Sequence, residues 1–239
     1  MARNLPRVRR QIGEAALRAE RDPRQIILVA VTKAFQPDTI RRAYELGILD
    51  FGENRVQEAE DKILQLRQEL KVTWHMIGPL QRNKVKKALE LFDWIHSVES
   101  FALAAEISKR AGQAGKEVPI LLEINTAGQS HKHGYSVPPD ASSESRARFF
   151  DETARILDLP NLLVEGLMTM APPVAQAEEA RPYFRHLRAL RDELRARFPD
   201  RDWRHLSMGM TDDFPVAIEE GATLVRIGRA IFGERRDHD

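Results

Sequence analysis

Lys33 follows the apolar run Ile26-Ile27-Leu28-Val29-Ala30-Val31, with only Thr32 between. A lysine in such a place is ordinarily a solvated residue at the end of a strand. The chemical alternative is a Schiff base: an amine held against apolar walls loses proton affinity, and its free base attacks an aldehyde. Near the other end of the chain, Ser207-Met208-Gly209 and Gly228-Arg229-Ala230 place glycine at two turns. Each glycine alone could simply end a strand. Together they read as a phosphate cradle, because glycine admits close backbone approach and turn N–H groups face an anion. Arg226 precedes the second turn and would point inward, where a guanidinium needs an acceptor. Either a ligand or a structural carboxylate such as Glu53 would meet that need. His75 and His96 are candidate acid–base groups, although a strand histidine is ordinarily packed and satisfied. His131, Lys132 and His133 share a polar loop with no carboxylate at ligand spacing, so no metal is expected there. Lys84, Lys86 and Lys87 read as a solvated helix face in preference to an anion contact.

The elements that must carry these residues alternate. A helix opens the chain, with Leu5, Val8, Ile12, Ala15 and Ala16 on one face, Asn4 as its N-cap and Pro6 in its first turn. Eight strand candidates follow: 26–31, 48–53, 72–77, 94–98, 118–125, 162–168, 203–206 and 223–227. Helices are expected over 37–46, 55–70, 83–91, 101–114, up to 157, 175–198, 215–220 and 230–235. Eight strand–helix units with short connections predict one closed (β/α)8 TIM barrel with an extra N-terminal helix, a single domain over residues 1–239. The competing open doubly wound sheet lacks its G-x-G-x-x-G after the first strand. In the barrel, Lys33, Glu53-Asn54, His75 with Gly78, Ser97, Asn125, Met168, Ser207 and Arg226 all fall at strand ends, where this architecture places its chemistry. The stretch 126–145 is the only long irregular segment.

Composition narrows the class. A 239-residue chain that is 42% hydrophobic and 31% charged buries a sizeable core, and a net charge of +1 gives no bulk attraction to nucleic acid or anionic membrane. The absence of cysteine excludes disulfides and thiolate metal sites. No apolar segment has the length of a signal-peptide core or a membrane span, so a cytoplasmic protein is expected.

Several stretches, taken in order, resemble the pyridoxal-phosphate homeostasis proteins. They are Val29-Ala30-Val31-Thr32-Lys33, Phe51-Gly52-Glu53-Asn54-Arg55-Val56-Gln57-Glu58 and Trp74-His75-Met76-Ile77-Gly78-Pro79-Leu80-Gln81. Gly166-Leu167-Met168, Leu206-Ser207-Met208-Gly209-Met210-Thr211-Asp212-Asp213, Val225-Arg226-Ile227-Gly228 and Ile231-Phe232-Gly233 complete the set. The resemblance implies a fold like the barrel of alanine racemase, with pyridoxal 5′-phosphate (PLP) as a Schiff base on Lys33. It implies that Ser207, with the backbone at Met208, Gly228 and Arg229, binds the phosphate, that Arg226 approaches the pyridine nitrogen, and that Asn54 and Met168 line the ring pocket. Arg229 departs from the family, which usually has a small hydroxyl residue there, so a side-chain hydroxyl contact to phosphate is lost.

A fixed cation beside the ring nitrogen disfavours its protonation and makes the ring a weaker electron sink. Racemases with a similar arginine add a β-domain and an opposing tyrosine, and a chain ending at Asp239 leaves no room for that domain. The resemblance therefore implies a non-catalytic, monomeric carrier or buffer of PLP that serves PLP-dependent apo-enzymes. The rivals are a PLP-dependent racemase-like enzyme and a barrel acting on a phosphorylated metabolite without cofactor.

Overall fold

The computed structural model describes residues 1–129 and 132–233. Eight parallel strands form one closed barrel: β1 (Ile27–Val31), β2 (Asp50–Glu53), β3 (Thr73–Met76), β4 (Trp94–Val98), β5 (Val118–Asn125), β6 (Leu162–Met168), β7 (His205–Ser207) and β8 (Leu224–Ile227). Sequential strands pair, and β8 returns to β1 with Val29 opposite Arg226, which closes the ring. Helices α2 (Pro37–Glu45), α3 (Val56–Leu66), α4 (Val85–Leu91), α5 (Phe101–Gln113), α6 (Ser143–Leu157), α7 (Arg181–Arg197), α8 (Phe214–Glu219) and α9 (Arg229–Phe232) cover it.

The leading helix, α1 (Asn4–Arg18), buries Leu5, Val8, Ile12, Ala15 and Ala16, and it packs on α8 and α9. Asn4 is not its cap. It lies within the helix, and its Nδ2 donates to Ile231 O at 3.2 Å, tying the start of the chain to its last described helix. The seventh strand begins at His205 and includes Ser207, two residues later than its apolar signal. Trp203 belongs to the outer layer instead, fully buried against Phe198, with its indole N–H donating to Phe198 O at 3.3 Å. The expected helix over 175–198 splits into a 3-10 turn, Ala177–Ala180, and α7, because Pro182 can occupy only a first turn. The loop after β5 also holds a two-residue strand, Tyr135–Ser136, paired with Ile124–Asn125.

A barrel of this kind normally fills its interior with branched aliphatic side chains. Here the interior carries His75, His96, Glu123, Ser207 and Arg226, all buried. Burying so many polar groups is costly unless they pair or serve a ligand.

Candidate functional site

Lys33 and Ala34 are the central residues of a four-residue turn after β1, closed by Phe35 N–H donating to Thr32 O at 3.0 Å. Ala34 has φ +65°, a left-handed conformation that costs a non-glycine residue about 1–2 kcal/mol. Strain of this kind persists where surrounding structure imposes it. Here the Phe35 ring meets the Phe232 ring of α9 at 4.8 Å, joining the first turn to the last.

The half-buried Lys33 opens on a cavity of about 700 Å³ shared with Asn54, Arg55, Glu58, Asp61 and Lys62. The cavity wall is set by a buried network. Lys62 Nζ lies 2.8 Å from Glu53 Oε1 and donates to Thr32 O at 3.0 Å, and the Thr32 hydroxyl donates to the same Glu53 oxygen at 2.6 Å. Glu53 is fully buried and its Oε2 has no partner among the described residues. Burial raises its pKa, and Lys62 only partly offsets that. Asn54 lines the cavity, and beside it the β2 and β3 loops touch: a Cβ on Gly78 would fall 2.3 Å from Asn54 O.

A second cluster lies on the β7–β8 side. Arg226, buried at the end of β8, donates to Ser207 Oγ at 2.5 Å and to Thr169 O at 2.8 Å. Its partner is therefore not Glu53. Desolvation lowers its pKa to about 10, countered by Glu123 and Asp213. Met168 stands between Glu123 and Ser207 in the strand register, fully buried. Met208 N–H is taken by Leu224 O at 3.1 Å, so that donor is engaged within the barrel. Gly209, at φ +91°, is required where it is, since a Cβ would meet Ala217 Cβ at 2.5 Å. Gly228 lies against the Val31 backbone, which brings the last turn beside the first. Arg229 is exposed and its guanidinium pairs with Asp212, bridging the loops after β7 and β8.

The structure thus joins Lys33 with Asn54, and Ser207 with Arg226 and Met168. None of Met168, Ser207, Arg226, Gly228 and Arg229 lines the Lys33 cavity. Helix α9 and Val31 are what adjoin the two groups.

Residues 4–236 match the family model described as alanine racemase, N-terminal domain. The pyridoxal phosphate homeostasis protein of Aquifex aeolicus is 44% identical, with 97% of each chain covered. That of Pseudomonas aeruginosa is 37% identical over 98% of this chain and 96% of its own. The chain belongs to this family. Among solved structures, PipY of Synechococcus elongatus with PLP bound is 38% identical, at TM-score 0.78 over 93% of this chain and all of that one.

Two groups within the family's barrel, Glu123 and Lys62, are not singled out by residue type and spacing. Glu123, on β5, is buried with Oε2 unpartnered among the described residues, and burial, followed by Glu99, raises its pKa to about 7. Lys62 looks like a surface residue of an amphipathic helix, yet it is buried and points at Glu53. His75 and His96 are packed and also hydrogen-bonded in series to Ser207. His133 pairs with Glu99 at 2.8 Å, whereas His131 lies outside the described residues. Lys87 pairs with Glu60 and Glu90, as a solvated helix face would. Among the described residues, no helix is long and apolar enough to cross a membrane.

Proposed function

We propose that this chain binds PLP, holds it covalently through the Lys33 amine, and acts as a carrier or buffer in vitamin B6 homeostasis. The observation that carries the reading is the strained Thr32–Phe35 turn. It presents a lysine at the mouth of β1, beside Asn54 and adjoining the Gly228 turn.

The donor set suits the ligand. PLP supplies an aldehyde for an amine, a phosphate for hydrogen-bond donors and an aromatic nitrogen. Lys33 is the amine. Ser207 and the backbone at Gly228 and Arg229 receive the phosphate. Met208 contributes to that wall mainly by packing, since its N–H already serves the barrel. Asn54 and Met168 flank the ring, and Arg226, pinned by Thr169 O and Ser207 Oγ, faces the ring nitrogen. A guanidinium there disfavours protonation of that nitrogen, so the site retains the cofactor without strongly activating an amino acid bound to it. The recipients are PLP-dependent apo-enzymes, and the carrier works in the cytoplasm as a monomer.

The experiment is PLP titration followed by borohydride reduction and peptide mass spectrometry. A visible absorbance and a fixed mass on Lys33 are expected, both lost in Lys33→Ala. Pyridoxal binds much more weakly, because the phosphate donors then face no anion. A chain that takes up no PLP, or binds pyridoxal equally well, removes the reading.

A further inference from the structure

Asp50, His75, His96, Ser207 and Arg226 form one unbroken series of hydrogen bonds through the barrel. Asp50 Oδ1 meets His75 Nε2 at 3.0 Å, His75 Nδ1 meets His96 Nε2 at 3.0 Å, and His96 Nδ1 meets Ser207 Oγ at 3.0 Å. Arg226 Nη1 closes the series on Ser207 Oγ at 2.5 Å. Asp50 is its only member appreciably open to solvent, with its side chain 26% exposed against 2% for His75. The other ionisable groups facing the series are His205 on β7, with Glu165, Arg204 and Asp202 around it, and Glu123 and Asp213 near Arg226. The Trp94 ring stands beside both imidazoles, at 6.0 and 6.1 Å.

The end groups dictate where each hydrogen lies. The Asp50 carboxylate only accepts, so His75 Nε2 carries a hydrogen. If His75 is neutral, its Nδ1 accepts, and His96 must carry its hydrogen on Nε2. His96 Nδ1 then accepts the Ser207 hydrogen, and the Ser207 lone pairs accept from Arg226, which can only donate. All donors run one way, from Arg226 to Asp50, an arrangement in which each bond polarises the next. In this state the Ser207 hydrogen is committed to the barrel.

Protonated His75 reverses two of those hydrogen bonds, the His75–His96 and His96–Ser207 bonds. The His96 Nε2 hydrogen passes to His75 Nδ1, the Ser207 hydrogen passes to His96 Nδ1, and Ser207 regains one from the barrel mouth. Only N–H and O–H bonds are exchanged, and the net change is one proton taken in at the mouth and held on His75 beside Asp50. His96 itself stays uncharged, because burial, with His75, Arg226 and His205 nearby, holds its pKa well below the usual histidine value.

We propose that this series is a proton relay coupled to a phosphate monoester. When the relay holds its proton on His75, the Ser207 hydroxyl turns its hydrogen from His96 to the phosphate. The inference rests on the placement of the PLP phosphate at Ser207. Phosphate monoesters lose their second proton near pH ~6, so an arriving ligand can itself supply the proton that the relay stores.

The test is histidine 15N NMR of the full chain, alone and with PLP or pyridoxal. Without ligand, both imidazoles carry hydrogen on Nε2 while His75 is neutral. As acid protonates His75, His96 moves its hydrogen to Nδ1 with the same midpoint. PLP raises that midpoint by about 0.7 unit, equivalent to roughly fivefold tighter binding to the protonated relay, the worth of one net hydrogen bond. Pyridoxal leaves it in place. Ser207→Ala cancels the PLP effect and keeps both Nε2 tautomers while His75 is neutral, and His205→Gln, outside the series, changes neither. A pair of merely structural histidines would show no such response to PLP. A hydrogen on His96 Nδ1 while His75 is neutral, or a His96 tautomer indifferent to His75, overturns the relay. A midpoint indifferent to bound PLP overturns its coupling to phosphate. Failure to bind PLP at all also ends the coupling, but it is seen separately as missing absorbance while the ligand-free tautomers are read independently.

Discussion

Replacing Lys62 by methionine tests whether the wall of the Lys33 cavity is held by charge. The change keeps the apolar stem and removes the amine, which lies 2.8 Å from Glu53 Oε1 and 3.0 Å from Thr32 O. At 2.8 Å and an effective dielectric constant of ~20, the gross attraction is about 6 kcal/mol, and desolvation consumes part of it. Losing one partner leaves Glu53 with Thr32 alone and a second oxygen already unpartnered. The expected loss at neutral pH is about 3–5 kcal/mol, the usual result of orphaning a buried charge. The pH dependence has a fixed sign. Burial has already raised the Glu53 pKa above its unfolded value, and Lys62 opposes the rise. Without Lys62 it rises further, so the folded variant binds a proton that the unfolded chain releases. Its stability is then retained in acid and falls, by about 1.4 kcal/mol per unit at most, as pH climbs towards the new pKa. Urea unfolding at pH 5, 6.5 and 8 should therefore show a deficit that widens with pH. The double variant Glu53→Gln/Lys62→Met should recover most of the loss at pH 8. A deficit independent of pH, or a double variant no better than the single one, would show that Lys62 acts through packing alone.

Two further outcomes bear on the barrel interior and on catalysis. Glu123, with its pKa raised to about 7 by burial and Glu99, destabilises the fold progressively as pH rises from its unfolded value towards 7; Glu123→Gln should flatten the stability profile across that window and be the more stable form at pH 8, and a less stable variant at pH 8 would contradict the assignment. A carrier should give no α-proton exchange in deuterated buffer above that of free PLP across L- and D-amino acids, followed by NMR; exchange abolished by Lys33→Ala would favour the racemase-like reading.

The barrel was legible because its signals are local and repeated. β4, β5 and β6 coincide with the expected 94–98, 118–125 and 162–168, where apolar runs are bounded by clear breaks. Two of the misplacements share one cause, an apolar or capping residue used by a neighbour. Trp203 extends an apolar signal but packs outside the barrel, so β7 starts at His205. Asn4 has the chemistry of a cap, yet a tertiary partner at Ile231 takes its amide. Neither competition is visible from residue type.

The candidate site was legible by a different route, and unevenly. Lys33, Ser207 and Arg226 could be named because strand ends of a barrel collect function, and the structure brings Ser207 and Arg226 into direct contact. The strain at Ala34 could not be read, since alanine carries no preference for positive φ and only the closed turn imposes it. Glu53 reads from the sequence as a strand-end carboxylate that could meet Arg226, but its cation is Lys62. The helix α3 face that delivers Lys62 inward is fixed by packing, not by charge pattern. His75 and His96 posed a choice between packed residue and acid–base group, and the geometry dissolves that choice. Both imidazoles are satisfied at both nitrogens, as packed residues are, and the proposed relay adds a proton-moving role to the same bonds. Which role matters then depends on what stands at the ends of the series: Asp50 on one side, and Ser207 with its arginine on the other.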